Sequence, residues 1–164
     1  MIDRPASECP QESRIATIWP HELPQALERV SSGVKVLSLD CFDTLLWRDC
    51  YAPTDVFADL PGITIGQRAA GEANARKAMR TLRRRNEVTL ADIYREVLPN
   101  ADEATLEAAI QAELEAEARA CFAFAPTVAL MTHAKALGLE VIIVSDTYLS
   151  AKQLRGLIKA AVGP

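Results

Sequence analysis

Two short apolar segments, far apart along the chain, each end at a carboxylate. The first, "VKVLSLD", is mostly apolar over residues 34–39 and ends at Asp40, and the second, "LEVIIVSD", ends at Asp146. Short, nearly continuous apolar runs are typical of strands that are buried in a parallel sheet. The pattern therefore predicts two parallel strands that present acidic side chains at their carboxyl ends.

Between the two segments the pattern changes to that of amphipathic helices. "GQRAAGEANARKAMRTLRRRN" predicts one helix, and "TLADIYREVLP" predicts a second, capped by Thr89 with Asp92 three residues later. "ADEATLEAAIQAELEAEARACF" predicts a long third helix, in which apolar residues recur every four positions. These apolar positions are Leu106, Ile110, Leu114, Ala118 and Phe122. The block is therefore predicted to be a small helical bundle.

The remaining segments predict helices around the two strands. "HELPQALERVSSG" indicates a short helix that closes near Gly33, and another helix begins at Pro126 and runs to Gly138. Ser150 and Gln153 have the spacing of a capping box for a last helix. Strands that are joined through helices predict an α/β fold with a right-handed crossover.

The same pattern divides the chain into four parts. We expect an N-terminal extension with a loose leader and a short helix over residues 1–33. A first core part follows over residues 34–48, then a helical insertion over residues 49–125, and a second core part over residues 126–164.

Composition and charge narrow the classes of function. A hydrophobic fraction of 49% is enough for a folded core, and a net charge of -4 disfavours a general nucleic-acid binder. The chain has neither an apolar run of the ~18 residues that a membrane span needs nor an apolar signal-peptide region at its start. Its four cysteines lack metal-type C-x-x-C spacing and are expected to be free thiols. We therefore expect a cytoplasmic protein without a nucleic-acid or membrane partner.

The two strand ends suggest phosphoryl-transfer chemistry. In open parallel sheets ligands bind beyond the carboxyl ends of the strands, where Asp40, Asp43, Ser145 and Asp146 are expected to meet. A carboxylate can attack phosphorus, magnesium can offset the repulsion between the two anions, and a second carboxylate can transfer protons. The alternative is an ordinary turn whose aspartates cap the backbone.

The motifs also resemble a known family. "LSLDCFDTLL" resembles motif I of the haloacid dehalogenase (HAD) superfamily, and "VIIVSDTY" resembles its motif II. The helical insertion resembles the cap that one class of these proteins carries after motif I. The resemblance covers roughly residues 34–155. It implies a Rossmann-like parallel sheet with an inserted all-helical cap.

The resemblance also implies roles for individual residues. Asp40 is expected to be the nucleophile and a magnesium ligand, and Asp43 the general acid/base, with its backbone carbonyl as a second magnesium ligand. Thr44 and Ser145 are expected to hold the phosphate. Since the dehalogenase branch lacks the second aspartate, the resemblance implies a magnesium-dependent phosphatase that acts on a small phosphorylated metabolite. Phosphomutases share the aspartate pair and stay an alternative.

The chain departs from the family pattern after motif II. The superfamily uses a later lysine or arginine (motif III) and an acidic pair (motif IV). Beyond Asp146 the sequence offers only Lys152 and Lys159 as lysines, and no acidic residue. Three interpretations stay open: a truncated chain, a sheet completed by another chain or a further segment, or a remnant without turnover. The alternative function is a catalytically incomplete module for binding, oligomerisation or regulation, such as the N-terminal part of a larger protein.

Three smaller predictions concern individual side chains. Arg68 and Glu72 lie one helical turn apart and are expected to form a helix ion pair, with the alternative that they face the active site. Cys41, inside motif I, is expected to be a small buried residue rather than a nucleophile. Trp47 is expected to pack where the chain leaves the core for the helical insertion.

Overall fold

The computed structural model describes residues 17–84 and 87–163. Most of the expected leader, residues 1–16, lies outside this range. Helices and strands follow in the order α1 (Leu23–Val30), β1 (Val36–Leu39), β2 (Leu46–Arg48), α2 (Ile65–Arg83), α3 (Leu90–Val97), α4 (Glu103–Ala120), β3 (Cys121–Ala123), α5 (Ala125–Ala136), β4 (Glu140–Ile143) and α6 (Ala151–Val162). Two short 3-10 helices, Pro20–Glu22 and Pro53–Asp59, precede α1 and α2.

The two predicted strands pair with each other in parallel. β1 and β4 align with Val36 opposite Glu140 and Leu39 opposite Ile143. Further backbone hydrogen bonds of 2.9 Å extend the ladder, one of them from the Glu140 amide to the Lys35 carbonyl. The described chain is thus mixed α/β, and it contains a small parallel sheet of two strands, as the apolar segments predict.

One face of this sheet is covered and the other is open. Leu37, Leu39 and Val141 pack on a hydrophobic cluster of Leu27 from α1, Leu130 and Ala134 from α5, and Leu139 from the turn before β4. Because side chains alternate along a strand, Val36 and Ile142 lie on the opposite face. They are 41% and 38% exposed. The core therefore lies on one side of the sheet only.

A second, antiparallel ribbon joins the helical insertion to the sheet. β2 pairs with β3, with Trp47 opposite Phe122 and Arg48 opposite Cys121. Trp47 also stacks on Phe124, with ring centroids 4.7 Å apart, which confirms its predicted packing. The placement of Phe122 on the long helix was wrong, because α4 ends at Ala120. Three-residue strands are too short for a periodic pattern to reveal them.

The helix ends mostly follow their sequence signals. Thr89 with Asp92, and Ser150 with Gln153, form the two predicted capping boxes. Pro126 lies in the first turn of α5, and Gly138 follows its end at a φ of 79°, a left-handed conformation that glycine adopts readily. No helix among residues 17–84 and 87–163 is long and apolar enough to cross a membrane.

A buried ion pair holds the helices of the insertion together. Arg68 of α2 and Glu113 of α4 are both 0% exposed. The Arg68 guanidinium donates to both Glu113 oxygens, at 2.6 and 2.7 Å, and the Tyr94 hydroxyl donates to Glu113 at 2.8 Å. Arg68 also contacts Glu72 at 3.2 Å, which confirms the predicted helix pair. Because every charge in this cluster has a partner, the cluster fixes how α2, α3 and α4 pack.

Burial also determines the protonation of this cluster. Burial, followed by the charge of Glu113, raises the pKa of Tyr94 well above its ordinary value. Tyr94 is therefore a neutral hydrogen-bond donor to Glu113 at any physiological pH. The ionised partner of Glu113 is Arg68, whose own pKa is raised above its ordinary value despite burial, through its bonds to Glu113.

We expect Glu113→Gln to destabilise the protein by about 3 kcal/mol, because the buried Arg68 charge loses its two-point anionic partner and keeps only the single contact with Glu72. Equilibrium urea unfolding measures the change. Glu107→Gln is the matched control, since Glu107 is an exposed residue of the same helix. Equal unfolding free energies for the two variants would contradict the assigned role of the ion pair.

Candidate active site

The carboxyl ends of β1 and β4 lie side by side and bring two of the predicted site residues to one edge. Leu39 is opposite Ile143, and its carbonyl accepts a 2.9 Å hydrogen bond from the Val144 amide. Asp40 therefore follows β1 at the level of Val144, and Ser145 lies one residue further along the adjacent strand. Asp40 is exposed and Ser145 is half-buried. This edge is where ligands bind in open parallel sheets.

A tight turn positions Asp43 directly after β1. The amides of Leu45 and Leu46 both donate to the Cys41 carbonyl at 2.8 Å, and the Asp43 amide donates to the Leu46 carbonyl at 2.9 Å. Asp43 has a φ of 55°, in the left-handed region that aspartate tolerates better than most residues. The turn thus holds the exposed Asp43 carboxylate on the same short loop as Asp40.

Further hydrogen bonds fix the two ends of this loop. At its start, Oδ1 of Asp40 accepts a 2.7 Å bond from the Cys41 amide, which orients the carboxylate. Near its end, the carbonyl of the half-buried Thr44 accepts a 2.7 Å bond from the hydroxyl of Thr127, a buried residue in the first turn of α5. The loop is therefore attached to the helix that packs under the sheet.

Arg48 links the loop to the helical insertion. Its guanidinium lies over the Phe42 ring, 4.2 Å from the centroid, and donates to both carboxylate oxygens of Glu117 at 2.9 and 3.2 Å. Burial works against the charge of Arg48, but the bond to Glu117 raises its pKa above the ordinary value. Since Phe42 lies between Asp40 and Asp43, the arginine contacts the centre of the loop that carries both carboxylates.

A cleft of about 240 Å³ opens beside this loop. The ribbon, the helical insertion and the segment after β4 all contribute to it. Its lining consists of Phe42, Arg48, Pro53, Thr54, Phe57, Glu72, Arg76, Glu117, Asp146, Thr147, Tyr148 and Leu149. The predicted residues Asp40, Asp43, Thr44 and Ser145 are outside this lining, although Phe42 and Asp146 are their immediate neighbours in sequence. The cleft is thus adjacent to the predicted reaction centre.

The cysteine inside the motif is unsuited to nucleophilic chemistry. Cys41 is 0% exposed, which confirms that it is a small buried residue. Burial, together with the negative charge of Asp40, raises the pKa of its thiol from 9.0 to about 11. Cys121, opposite Arg48 in the ribbon, has its pKa raised to about 12 by burial and by Glu117. Both thiols are therefore neutral near pH 7.

The oxygen atoms of the loop suit a hard divalent cation. Magnesium prefers oxygen ligands, commonly one or two carboxylates with several waters and substrate phosphates. The Asp40 carboxylate and the Asp43 carbonyl belong to one turn, and Oδ1 of Asp40 is the oxygen that already accepts a backbone bond. In the part of the chain that the structure describes, no three His, Cys, Asp or Glu side chains converge as a metal-binding group.

Two residues of the site were missed in the sequence. Arg48 and Glu117 are 69 positions apart, so no local pattern pairs them. A signal was nevertheless present, because Glu113 and Glu117 lie four residues apart and close to the apolar positions of α4. Acidic residues on the inner side of a helix are rarely buried without a cationic partner. That rule would have indicated two buried ion pairs.

No protein-family model matches the chain, and a search of curated proteins finds no match.

We expect iodoacetamide to alkylate Cys41 about 100-fold more slowly in the folded protein than in urea at pH 8, because only the thiolate reacts and burial raises the pKa of this thiol to about 11. Peptide mass spectrometry measures the rate at this residue. The rate in the folded protein should rise as the pH increases from 8 towards 11. Equal labelling of folded and unfolded chains would contradict the buried, neutral thiol.

Proposed function

We propose that the chain is a HAD-like, magnesium-dependent phosphatase that hydrolyses a small phosphorylated metabolite through an aspartyl-phosphate intermediate. The observation that carries this proposal is the parallel pairing of β1 and β4, with Leu39 opposite Ile143. This pairing supports a shared site for Asp40 and Ser145, which come from motif-like segments about a hundred residues apart in sequence.

In the proposed reaction Asp40 is the nucleophile. A carboxylate oxygen of Asp40 attacks phosphorus, an oxygen–phosphorus bond forms, and the bond to the leaving alcohol oxygen breaks. Asp43 gives a proton to that oxygen and then takes a proton from the water that attacks the aspartyl phosphate. Inorganic phosphate leaves, and the Asp40 carboxylate is restored. The hydrogen-bonded turn from Cys41 to Leu46 supports these roles, because it keeps both carboxylates on one rigid loop.

The remaining parts of the site bind and orient the phosphate. The hydroxyl groups of Thr44 and Ser145 donate to phosphate oxygens, together with backbone amides of the turn. A magnesium ion held by the Asp40 carboxylate and the Asp43 carbonyl would neutralise negative charge on the phosphoryl group. The helical insertion, joined through the β2–β3 ribbon, is proposed to be the cap that excludes bulk water from the reaction.

A second candidate function is a binding or regulatory module without turnover. The observation in its favour is the open face of the sheet, where Val36 and Ile142 are 41% and 38% exposed and Val144 is 60% exposed. An open sheet with unpaired edges can accept a further strand, from another copy of the chain or from another segment. The two candidates differ in whether the purified protein hydrolyses a phosphate ester.

We expect the wild-type protein to release phosphate from a generic phosphate ester in the presence of magnesium, and to lose this activity when EDTA removes the metal. Asp40→Asn should abolish turnover, and Asp43→Asn should lower kcat by about 10²–10⁴-fold, the usual contribution of general acid–base catalysis. Asp49→Asn is the control, since Asp49 is an exposed aspartate just beyond the ribbon.

The phosphate released in a fixed reaction time is measured for all four proteins at equal concentration. Equal activity in wild type and Asp40→Asn would contradict the nucleophile, and no activity in any protein would favour the second candidate.

A further inference from the structure

We propose that the cleft beside Phe42 selects phosphate esters whose alcohol part is uncharged or cationic, and that Asp146 is the residue that makes this selection. The inference rests on the proposed phosphatase function and specifies its substrate class. Asp146 would accept hydrogen bonds from a hydroxyl or an ammonium group of the alcohol, and it would repel a second carboxylate.

The position of the cleft makes it the place for the leaving group. Phe42 lies between the two carboxylates of the loop, and Asp146 directly follows Ser145. An ester whose phosphorus lies at Asp40 therefore has the cleft next to it. The cleft volume of about 240 Å³ is below the roughly 300–1,000 Å³ of pockets that hold drug-sized ligands. A small alcohol of a few carbon atoms suits this volume.

The positive charges of the lining are already neutralised by carboxylates. Arg48 makes a two-point contact with Glu117. Arg76 contacts Glu72 at 2.8 Å, and the other oxygen of Glu72 contacts the buried Arg68 at 3.2 Å. A carboxylate on the substrate would have to compete with these pairs for either guanidinium of the lining. The cleft therefore offers little attraction for a second anionic group.

The aromatic faces near the cleft are also occupied by cations of the protein. Arg48 covers Phe42 at 4.2 Å, and Arg68 lies 4.5 Å from the Phe57 centroid and 5.0 Å from that of Tyr148. These stacked guanidiniums use the negative ring faces. The contacts available to the alcohol part of the substrate are therefore those with the remaining polar groups of the lining.

Asp146 supplies the unbalanced charge. The lining contains three carboxylates and two guanidiniums, so one negative charge is left. Within residues 17–84 and 87–163 the side chain of Asp146, an exposed residue of the cleft lining, takes part in no hydrogen bond or ion pair. A carboxylate on the wall of a cleft, without a protein partner, favours ligands that donate hydrogen bonds or carry positive charge.

The test compares three small phosphate esters of similar size. Phosphoethanolamine has a cationic alcohol part, glycerol 1-phosphate a neutral one, and phosphoglycolate an anionic one. With magnesium present, we expect the wild-type kcat/KM for the first two esters to exceed that for phosphoglycolate by at least about tenfold, the usual size of one charged hydrogen bond.

Asp146→Asn should reduce this preference to about threefold or less, because it keeps the shape of the side chain and removes its charge. The control is Asp59→Asn, an exposed aspartate at the end of a 3-10 helix that does not line the cleft, and it should keep the wild-type preference. A preference for phosphoglycolate, or an unchanged preference in Asp146→Asn, would overturn the assignment while leaving the phosphatase function in place.

A binding measurement separates this inference from the proposed function. Calorimetric titration of the same three esters into the Asp40→Asn protein reports the affinity order without turnover. We expect the same order as in the kinetics, and its loss in the Asp40→Asn/Asp146→Asn double variant. If wild type hydrolyses none of the esters, the phosphatase proposal fails, and the binding order still decides the role of Asp146. Equal binding of the three esters, or no binding of any, overturns the inference.

Discussion

The parallel pairing of β1 with β4 is the contact on which the rest of the structure depends. It joins two segments whose paired residues are about a hundred positions apart, and their in-register alignment puts the end of one strand next to the end of the other. Parallel strands require a long crossover connection, and here the helical insertion and α5 provide it. A register shift of one residue would turn Leu37 and Leu39 away from the hydrophobic cluster that covers them. The same burial therefore fixes both the fold and the level of Asp40 relative to Ser145.

Two arginines, Arg68 and Arg48, connect the insertion to the loops around the cleft. Arg68 joins α2 to α4 through Glu113, and its guanidinium also lies near Tyr148 after β4. Arg48 joins the ribbon to Glu117 and covers Phe42. Burial of these charged pairs costs desolvation energy, which an apolar contact would avoid. Their hydrogen bonds, however, form in only one arrangement of the elements that carry them. They thus link the packing of the helices to the shape of the cleft beside the aspartate loop.

Much of the fold could be predicted from local patterns, and most of the cleft could not. The β1 and β4 segments, the Thr89 and Ser150 caps and the Arg68–Glu72 pair depend on neighbours within a few residues, so sequence spacing was sufficient. The β2–β3 ribbon and the Arg48–Glu117 pair depend on residues far apart in sequence. The roles of Asp40, Asp43, Thr44 and Ser145 remain predictions, supported by the shared strand edge for Asp40 and Ser145 and by the hydrogen-bonded loop for Asp43 and Thr44.

The central claim is that Asp40 becomes covalently phosphorylated, and chemical trapping tests it most directly. The protein is mixed with a phosphate ester and magnesium, quenched within the turnover time and reduced with borohydride, which converts an aspartyl phosphate to homoserine. Peptide mass spectrometry then locates the modified residue. The account predicts homoserine at position 40 in wild type, and none when Asp40→Asn is treated in the same way. Phosphate release without homoserine at position 40, or with homoserine at another aspartate, would contradict it.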